Sequence, residues 1–333
     1  MAQENHSPSE PALEPELPIC DAHHHLWQRP PEIYLLNDLL DDLNCGHNIV
    51  STVAIECGYG YRQSGREELK PVGEVEFLDG AARRASAEPE IKTRVAAAIV
   101  GFADLALGDA VAPVLEAHMA ASPNRFRGIR HSTTWDASGA LRSDAPQGML
   151  ADRNFRRGFV WLKNLNLSFD AWLYHPQLGE LADLARAFPD VAIILNHIGA
   201  PLGVGPYAGK RDQVFQLWSR GIAEVASCPN AVVKLGGVGS ARSGYDWHER
   251  AIKPSSEALA HLLKPYFEWC IENLGADRCM FESNFPVEKR SNSYVVVWNA
   301  FKRITKNLPA RERAALFHAT AARVYRIDPV PEV

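Results

Sequence analysis

The sequence predicts an α/β protein, a (β/α)8 barrel of the TIM type, and three observations predict it. Eight short apolar, β-branched runs alternate with longer segments of helical period. The chain has 333 residues, somewhat above the roughly 250 typical of this fold. Imidazole and charged side chains recur at the ends of the apolar runs, the edge at which such a barrel keeps its chemistry. A doubly wound parallel sheet is the runner-up. It wants a glycine fingerprint after its first strand, where this chain carries histidines.

Strands are read over 19–27, 49–58, 93–102, 126–134, 167–175, 191–199, 231–237 and 278–286, each short, apolar and bounded by turn residues. Helices are read over 74–87, 112–121, 178–188, 211–226 and 255–274, from apolar residues recurring at helical spacing. Two extra C-terminal helices follow the eighth strand, over 294–305 and 310–325. Residues 1–18 are acidic and proline-rich and read as a flexible, disordered N-terminal tail, not a signal peptide. Residues 19–333 show no repeat and no composition break, so they are expected to form a single barrel domain.

Composition narrows the partners. The chain is 46% hydrophobic and 23% charged, with a net charge of -5 and dispersed basic residues. That excludes the Lys/Arg stripe of a nucleic-acid binder. No segment is long and apolar enough to cross a membrane. The six cysteines lack CxxC pairs and mostly sit in apolar runs, so they read as buried free thiols of a cytoplasmic protein. A homo-oligomer is compatible with all of this.

The run Asp21-Ala22-His23-His24-His25-Leu26-Trp27 ends the first strand. Alternation along a strand puts His23 and His25 on one face, where they can meet one metal or one substrate, and His24 on the other. Glu56 ends the second strand, Arg130 and His131 the fourth, and His175 and Gln177 the fifth. Asn196 and His197 end the sixth, Lys234 lies in the seventh, and Glu282 and Asn284 lie at the eighth. A barrel has no packing need for so many polar ends at one mouth. Arg130, His131, His175 and Lys234 suit a small anionic ring substrate, because guanidinium captures carboxylate in a bidentate fork. Arg127 alternates with Arg130 and can point outward. Trp27, Trp135, Tyr174 and Phe285 are candidate apolar walls. The stretch Leu235-Gly236-Gly237-Val238-Gly239-Ser240 lacks the spacing of a dinucleotide loop and reads as a turn needing positive φ.

With these motifs in view, the chain resembles the amidohydrolase superfamily, in the branch that includes 2-pyrone-4,6-dicarboxylate lactonase and sugar lactonases. DAHHHLW (21–27), AIECGYGYR (54–62), FRGIRH (126–131), LSFDAWLYHPQL (167–178), LNHIGAP (195–201), VVKLGG (232–237), RCMFESNFPVEK (278–289) and TAARVYRI (320–327) carry the resemblance. It implies a hydrolase opening a small carboxylated lactone. A non-oxidative decarboxylase or cyclic amide hydrolase is the alternative on the same fold, and a non-catalytic barrel binding a small acid is the alternative of another class. It also implies metal ligation or carbonyl polarisation by His23, His25 and His197. One divalent metal, Zn or Mn, with Glu282 or Glu56 as a possible further ligand, and metal-free operation both remain open. The implied catalytic residues are Glu282, Asn284, His197 and Arg130, and the implied substrate-binding residues are Arg130, His131, Tyr174, His175 and Lys234. The chain departs from the pattern at Asn284, where the superfamily carries an Asp that activates water. An amide cannot take up a proton near neutral pH, so Glu282, two residues earlier on the same face, becomes the candidate base. The competing reading pairs Glu282 with Arg130 or Lys234 in the barrel throat.

Overall fold

The computed structural model describes residues 10–328. Eight parallel strands form one sheet in sequential order: β1 Ile19–His24, β2 Ile49–Ile55, β3 Arg94–Gly101, β4 Phe126–Ser132, β5 Ser168–Trp172, β6 Ile193–Leu195, β7 Ala231–Leu235 and β8 Cys279–Phe281. The sheet curls until its edges meet. Asn284 N–H donates to His23 O at 2.8 Å and His25 N–H to Phe285 O at 2.8 Å, closing the barrel at the ends of β1 and β8. This is the expected (β/α)8 architecture. Strands covered on both faces read as continuous apolar runs, which is why they were visible in the sequence.

Around the strands lie α1 Leu36–Leu43, α2 Val72–Ala87, α3 Ala112–Ala121, α4 Arg153–Asn164, α5 Leu178–Ala187, α6 Arg211–Ala226, α7 Ser256–Leu274 and α8 Tyr294–Ile304. Neither α1 nor α4 was among the expected helices. The charged start of α4 hides its apolar stripe, yet Phe155, Phe159 and Leu162 are buried on one face. Asp152 caps it by accepting from Asn154 N–H at 2.8 Å and Phe155 N–H at 2.9 Å. The helix expected over 310–325 is divided by a wider turn at Ala315–Ala319. Its end plugs the barrel floor, where Ala321, Val324 and Tyr325 pack with interior residues Cys20, Val53, Val100, Ile194 and Met280.

The flexible tail expected over 1–18 is corrected for its second half. Residues 10–18 form a strap over α8, while residues 1–9 lie outside the described residues. Lys302 Nζ donates to Leu13 O and Glu14 O at 2.7 and 2.8 Å, and Asn299 Oδ1 accepts Leu13 N–H at 2.8 Å. Buried Asn299 and Lys302 need such partners, and the strap supplies them. The cysteines are all unpaired; Cys45 and Cys57 are half-buried, unlike the buried other four. No helix among the described residues is long and apolar enough to cross a membrane.

Inside the barrel, a buried polar column rises from the floor. Asp170 accepts from Lys234 Nζ at 2.7 Å, Asn196 Nδ2 at 2.9 Å and Tyr325 OH at 2.9 Å. A buried pair broken on one side leaves an uncompensated charge. Asp170→Ala is therefore expected to cost about 3–5 kcal/mol of unfolding free energy in urea titration. The double variant Asp170→Leu with Lys234→Met recovers only part of that loss, because the Asn196 and Tyr325 donors stay without an acceptor.

Candidate active site

The last residues of β1 depart from regular alternation. A register irregularity lies between Asp21 and His24, so Ala22 belongs to the interior cluster while His23 also turns toward the barrel axis. His23 and His25 then meet, Nε2 to Nε2, at 3.2 Å, and His24 points away to Thr52 Oγ1 at 2.9 Å. This is the arrangement expected for the two faces. Asp21, buried behind them, accepts from Ser283 N–H at 2.8 Å, Ser283 Oγ at 2.6 Å and Tyr294 OH at 2.8 Å. Burial still pushes its carboxyl up to about 6.

Glu282 directly follows β8, beneath the imidazoles. Its Oε1 accepts His197 N–H at 3.0 Å and lies 2.7 Å from His197 Nδ1. Its Oε2 is 2.9 Å from His23 Nδ1 but accepts no hydrogen bond. The alternative throat pairing of Glu282 is thus corrected, because Lys234 pairs with Asp170 at 2.7 Å and Arg130 with Glu56 at 2.6 Å. Both have a nearer carboxylate. His197 has φ 54° and Asn284 φ 55°, left-handed backbone rarely adopted outside glycine and best tolerated by Asn. Gly237 lets the β7 loop approach, since a Cβ there would lie 2.1 Å from His197 Nδ1.

Above this floor opens a cavity of about 900 Å³. His25, Glu56, Arg130, His131, Tyr174, His197 and Asn284 line it, as does Trp27. Two expected substrate-binding residues do not. Lys234 is fully buried lower in the column, held by Asp170 and 3.4 Å from His23 Nδ1. His175 is buried behind the wall, where its Nδ1 lies 3.4 Å from Leu202 N–H and its ring packs on Tyr207. Nor do Trp135 and Phe285 line the cavity. Tyr174 spends its hydroxyl on the Arg142 carbonyl at 2.7 Å, tying down the loop after β4. Arg127 points away and binds the Phe126 and Asn124 carbonyls.

The sequence reading did not single out Asp21, Asp170, Trp172, Arg242 or Glu288. Alternation from Arg130 and Lys234 carried a signal for Asp170, an inward-facing acid in the neighbouring strand. For Arg242, on a loop after β7, no periodic signal existed.

Protonation follows from geometry. His25 Nδ1 faces the Ile55 carbonyl at 2.8 Å, and a carbonyl only accepts, so Nδ1 carries the proton and Nε2 is bare. Burial holds His23, His25 and His197 well below the ordinary imidazole value, with Lys234 adding to this at His23, Arg130 at His25 and Arg242 at His197. Neutral imidazoles keep their lone pairs. Burial also pushes Glu282 up to about 8, against the opposing pull of Lys234.

These donors fit a divalent cation. His23, His197 and Glu282 form the one group of three among the described residues whose donor atoms lie within 4.8 Å of one another. His25 is outside that group, beside His23. The undonated Glu282 Oε2 is the orphaned buried atom such an ion would satisfy. Two imidazoles and a carboxylate are a donor set that zinc and its neighbours accept.

Fold and site together define a (β/α)8 enzyme with a buried His–carboxylate cluster at the C-terminal mouth. Residues 20–327 match the amidohydrolase family, and the chain belongs to that family of hydrolases. It is 33% identical to uncharacterized protein y4mH of Sinorhizobium fredii, over 94% of this chain and 99% of that protein. It is 28% identical to L-fucono-1,5-lactonase of Burkholderia multivorans, over 69% of this chain and 72% of that enzyme. An amidohydrolase from Burkholderia multivorans, solved with bound HEPES and with bound zinc, superposes with TM-scores of 0.71 and 0.70 at 25% identity, covering 93% of this chain and 99% of that one.

Competition against a chromophoric chelator is expected to show about one zinc ion per chain. Glu282→Gln, which removes a ligand outright, should weaken that binding by more than the roughly 10–100-fold that loss of an outer-shell partner costs.

Proposed function

We propose that this chain hydrolyses a small lactone, and that the lactone carries a carboxylate. The observation that carries the reading is the carboxylate-backed imidazole cluster at the floor of an arginine-rich cavity, in a chain similar to a lactonase. Five arginines line the mouth, Arg29, Arg130, Arg142, Arg242 and Arg290, against two carboxylates, Glu56 and Asp144. That excess favours an anionic substrate.

The attacking water sits between His25 and Asn284. Asn284 Oδ1 is buried without a donor, so it accepts one O–H and holds the water in place. His25 Nε2, which carries no proton and gives up its 3.2 Å contact with His23 Nε2, takes the other proton as the oxygen bonds to the lactone carbonyl carbon. Arg130 stabilises the charge that grows on the carbonyl oxygen. The ring C–O bond then breaks, and the departing oxygen recovers its proton from His25, leaving a hydroxy acid. Glu282 lies below the cavity and orients His197 through Oε1, so its role is positioning, not direct proton transfer. A divalent cation held by His23, His197 and Glu282 would supply Lewis-acid polarisation of the carbonyl.

A panel of lactones followed by pH drift tests this. Wild type should acidify a weakly buffered solution of at least one carboxylated lactone. His25→Ala should lower kcat about 100-fold or more with its melting temperature little changed, since proton transfer contributes on the order of 10²–10⁴. Asn284→Asp should not exceed the wild-type rate. Release of carbon dioxide from an aromatic acid, with no lactone opened, would assign the barrel to decarboxylation instead.

A further inference from the structure

We propose that Arg242 selects the substrate by binding a carboxylate borne on the lactone ring, away from the bond that is cut. The proposal rests on the lactone-hydrolase reading and names the side chain that chooses the anion.

The arginines of the mouth are not equivalent. Arg130 is paired with Glu56 at 2.6 Å and Arg142 with Asp144 at 2.6 Å. Arg290 is paired with Glu32, and the exposed Arg29 donates to the Cys57 carbonyl while lying 5.3 Å from the Trp27 ring centre. Arg242 has neither a carboxylate nor a side-chain hydrogen bond among the described residues. Its guanidinium lies over the Trp172 ring, 4.5 Å from the centre. A guanidinium seated on an aromatic face keeps its N–H groups available to a carboxylate.

Its position suits that use. Trp172 contacts His197 edge-on, with ring centres 4.9 Å apart, so Arg242 stands one indole away from the imidazole cluster. Its own backbone is pinned. Gly203 N–H donates to Arg242 O at 2.8 Å, and a Cβ at Gly203 would fall 2.2 Å from Ser243 O. Three residues earlier, Gly239 is clamped on both sides, its N–H donating to Glu288 Oε2 at 2.7 Å and its carbonyl accepting from Ser291 Oγ at 2.7 Å. The loop holds the cation ready, which lowers the ordering cost of binding. Burial holds Arg242 below its ordinary value, against the opposing pull of Tyr174, Glu288 and Asp144.

Turnover of 5-oxotetrahydrofuran-2-carboxylate is to be compared with that of its neutral carboxamide. The wild-type kcat/KM ratio should favour the acid. Arg242→Met should reduce that ratio about 10–100-fold, as loss of a charge-assisted pair does, and Arg242→Lys should restore part of it. Calorimetry with tetrahydropyran-2-carboxylate, which has ring and anion but no lactone, should show a dissociation constant weakened by a similar factor in Arg242→Met. A ratio within about twofold of wild type in Arg242→Met, or a wild type that prefers the carboxamide, would overturn the proposal and leave lactone hydrolysis standing. Should wild type open no lactone, the hydrolase reading falls and calorimetry alone decides: weakened binding in Arg242→Met supports the anion site, and equal binding refutes it.

Discussion

The seam between β1 and β8 governs this structure. Asp21, buried at that seam, gathers Ser283 through both its N–H and its hydroxyl and is itself held by Tyr294 from α8. With His23 N–H at 3.3 Å, four donors on one carboxylate offset much of the cost of taking it out of water. Because the last strand pair is joined beyond its regular ladder, by His25 N–H to Phe285 O and Asn284 N–H to His23 O, the closing bonds of the barrel and the positions of the reactive side chains are one set of coordinates. The first and last segments of the fold cannot separate without dispersing the site.

From that seam the polar column descends along the axis. Tyr325 and Asn196 fix Asp170, Asp170 fixes Lys234, and Lys234 faces one nitrogen of His23 while His25 faces the other. Each group limits where its neighbour's protons can lie. Unpaired, any of these charges would be costly at this depth; chained, they hold His23 in one orientation. The left-handed backbone at His197 and the close approach of Gly237 belong to the same economy of space: the sixth and seventh strand ends are bent inward until the His197 ring reaches Glu282.

Much of this was legible from the residue order. The eight buried runs had to alternate with helices, and His23 and His25 shared a face in structure as in pattern. The order of residues was silent where geometry is not periodic. The irregularity between Asp21 and His24 lets two consecutive side chains, Ala22 and His23, turn inward, which alternation cannot express. Lys234 looked like a substrate ligand because inward-facing lysine and mouth-facing lysine have the same pattern; depth along the axis separates them, and depth depends on strand stagger. His175 was misplaced because β5 ends at Trp172, so a short turn and not a strand carries it behind the wall. Helix α4 hid behind its arginines, and the strap over 10–18 behind its prolines, because a segment that is fixed by its partners' needs has little pattern of its own.

The same spatial logic accounts for the departure at Asn284. The position has φ 55°, where Asn is among the most tolerated side chains after glycine. It also lies between two acids, two residues after Glu282 and 3.5 Å from Glu288 Oε1 through Asn284 Nδ2. A carboxylate there would be the fourth in one buried seam, after Asp21, Glu282 and Glu288, facing Glu288 at contact distance with repulsion little screened. Asn284 removes that charge and turns the contact into a donor–acceptor pair, while Glu288 remains free to clamp Gly239 and thus the loop bearing Arg242. The amide's other end is left aimed at a buried position without a donor. In the proposed mechanism that free amide oxygen is what holds the attacking water, and the proton passes to His25, whose Nδ1–H is spent on the Ile55 carbonyl so that Nε2 is the accepting nitrogen.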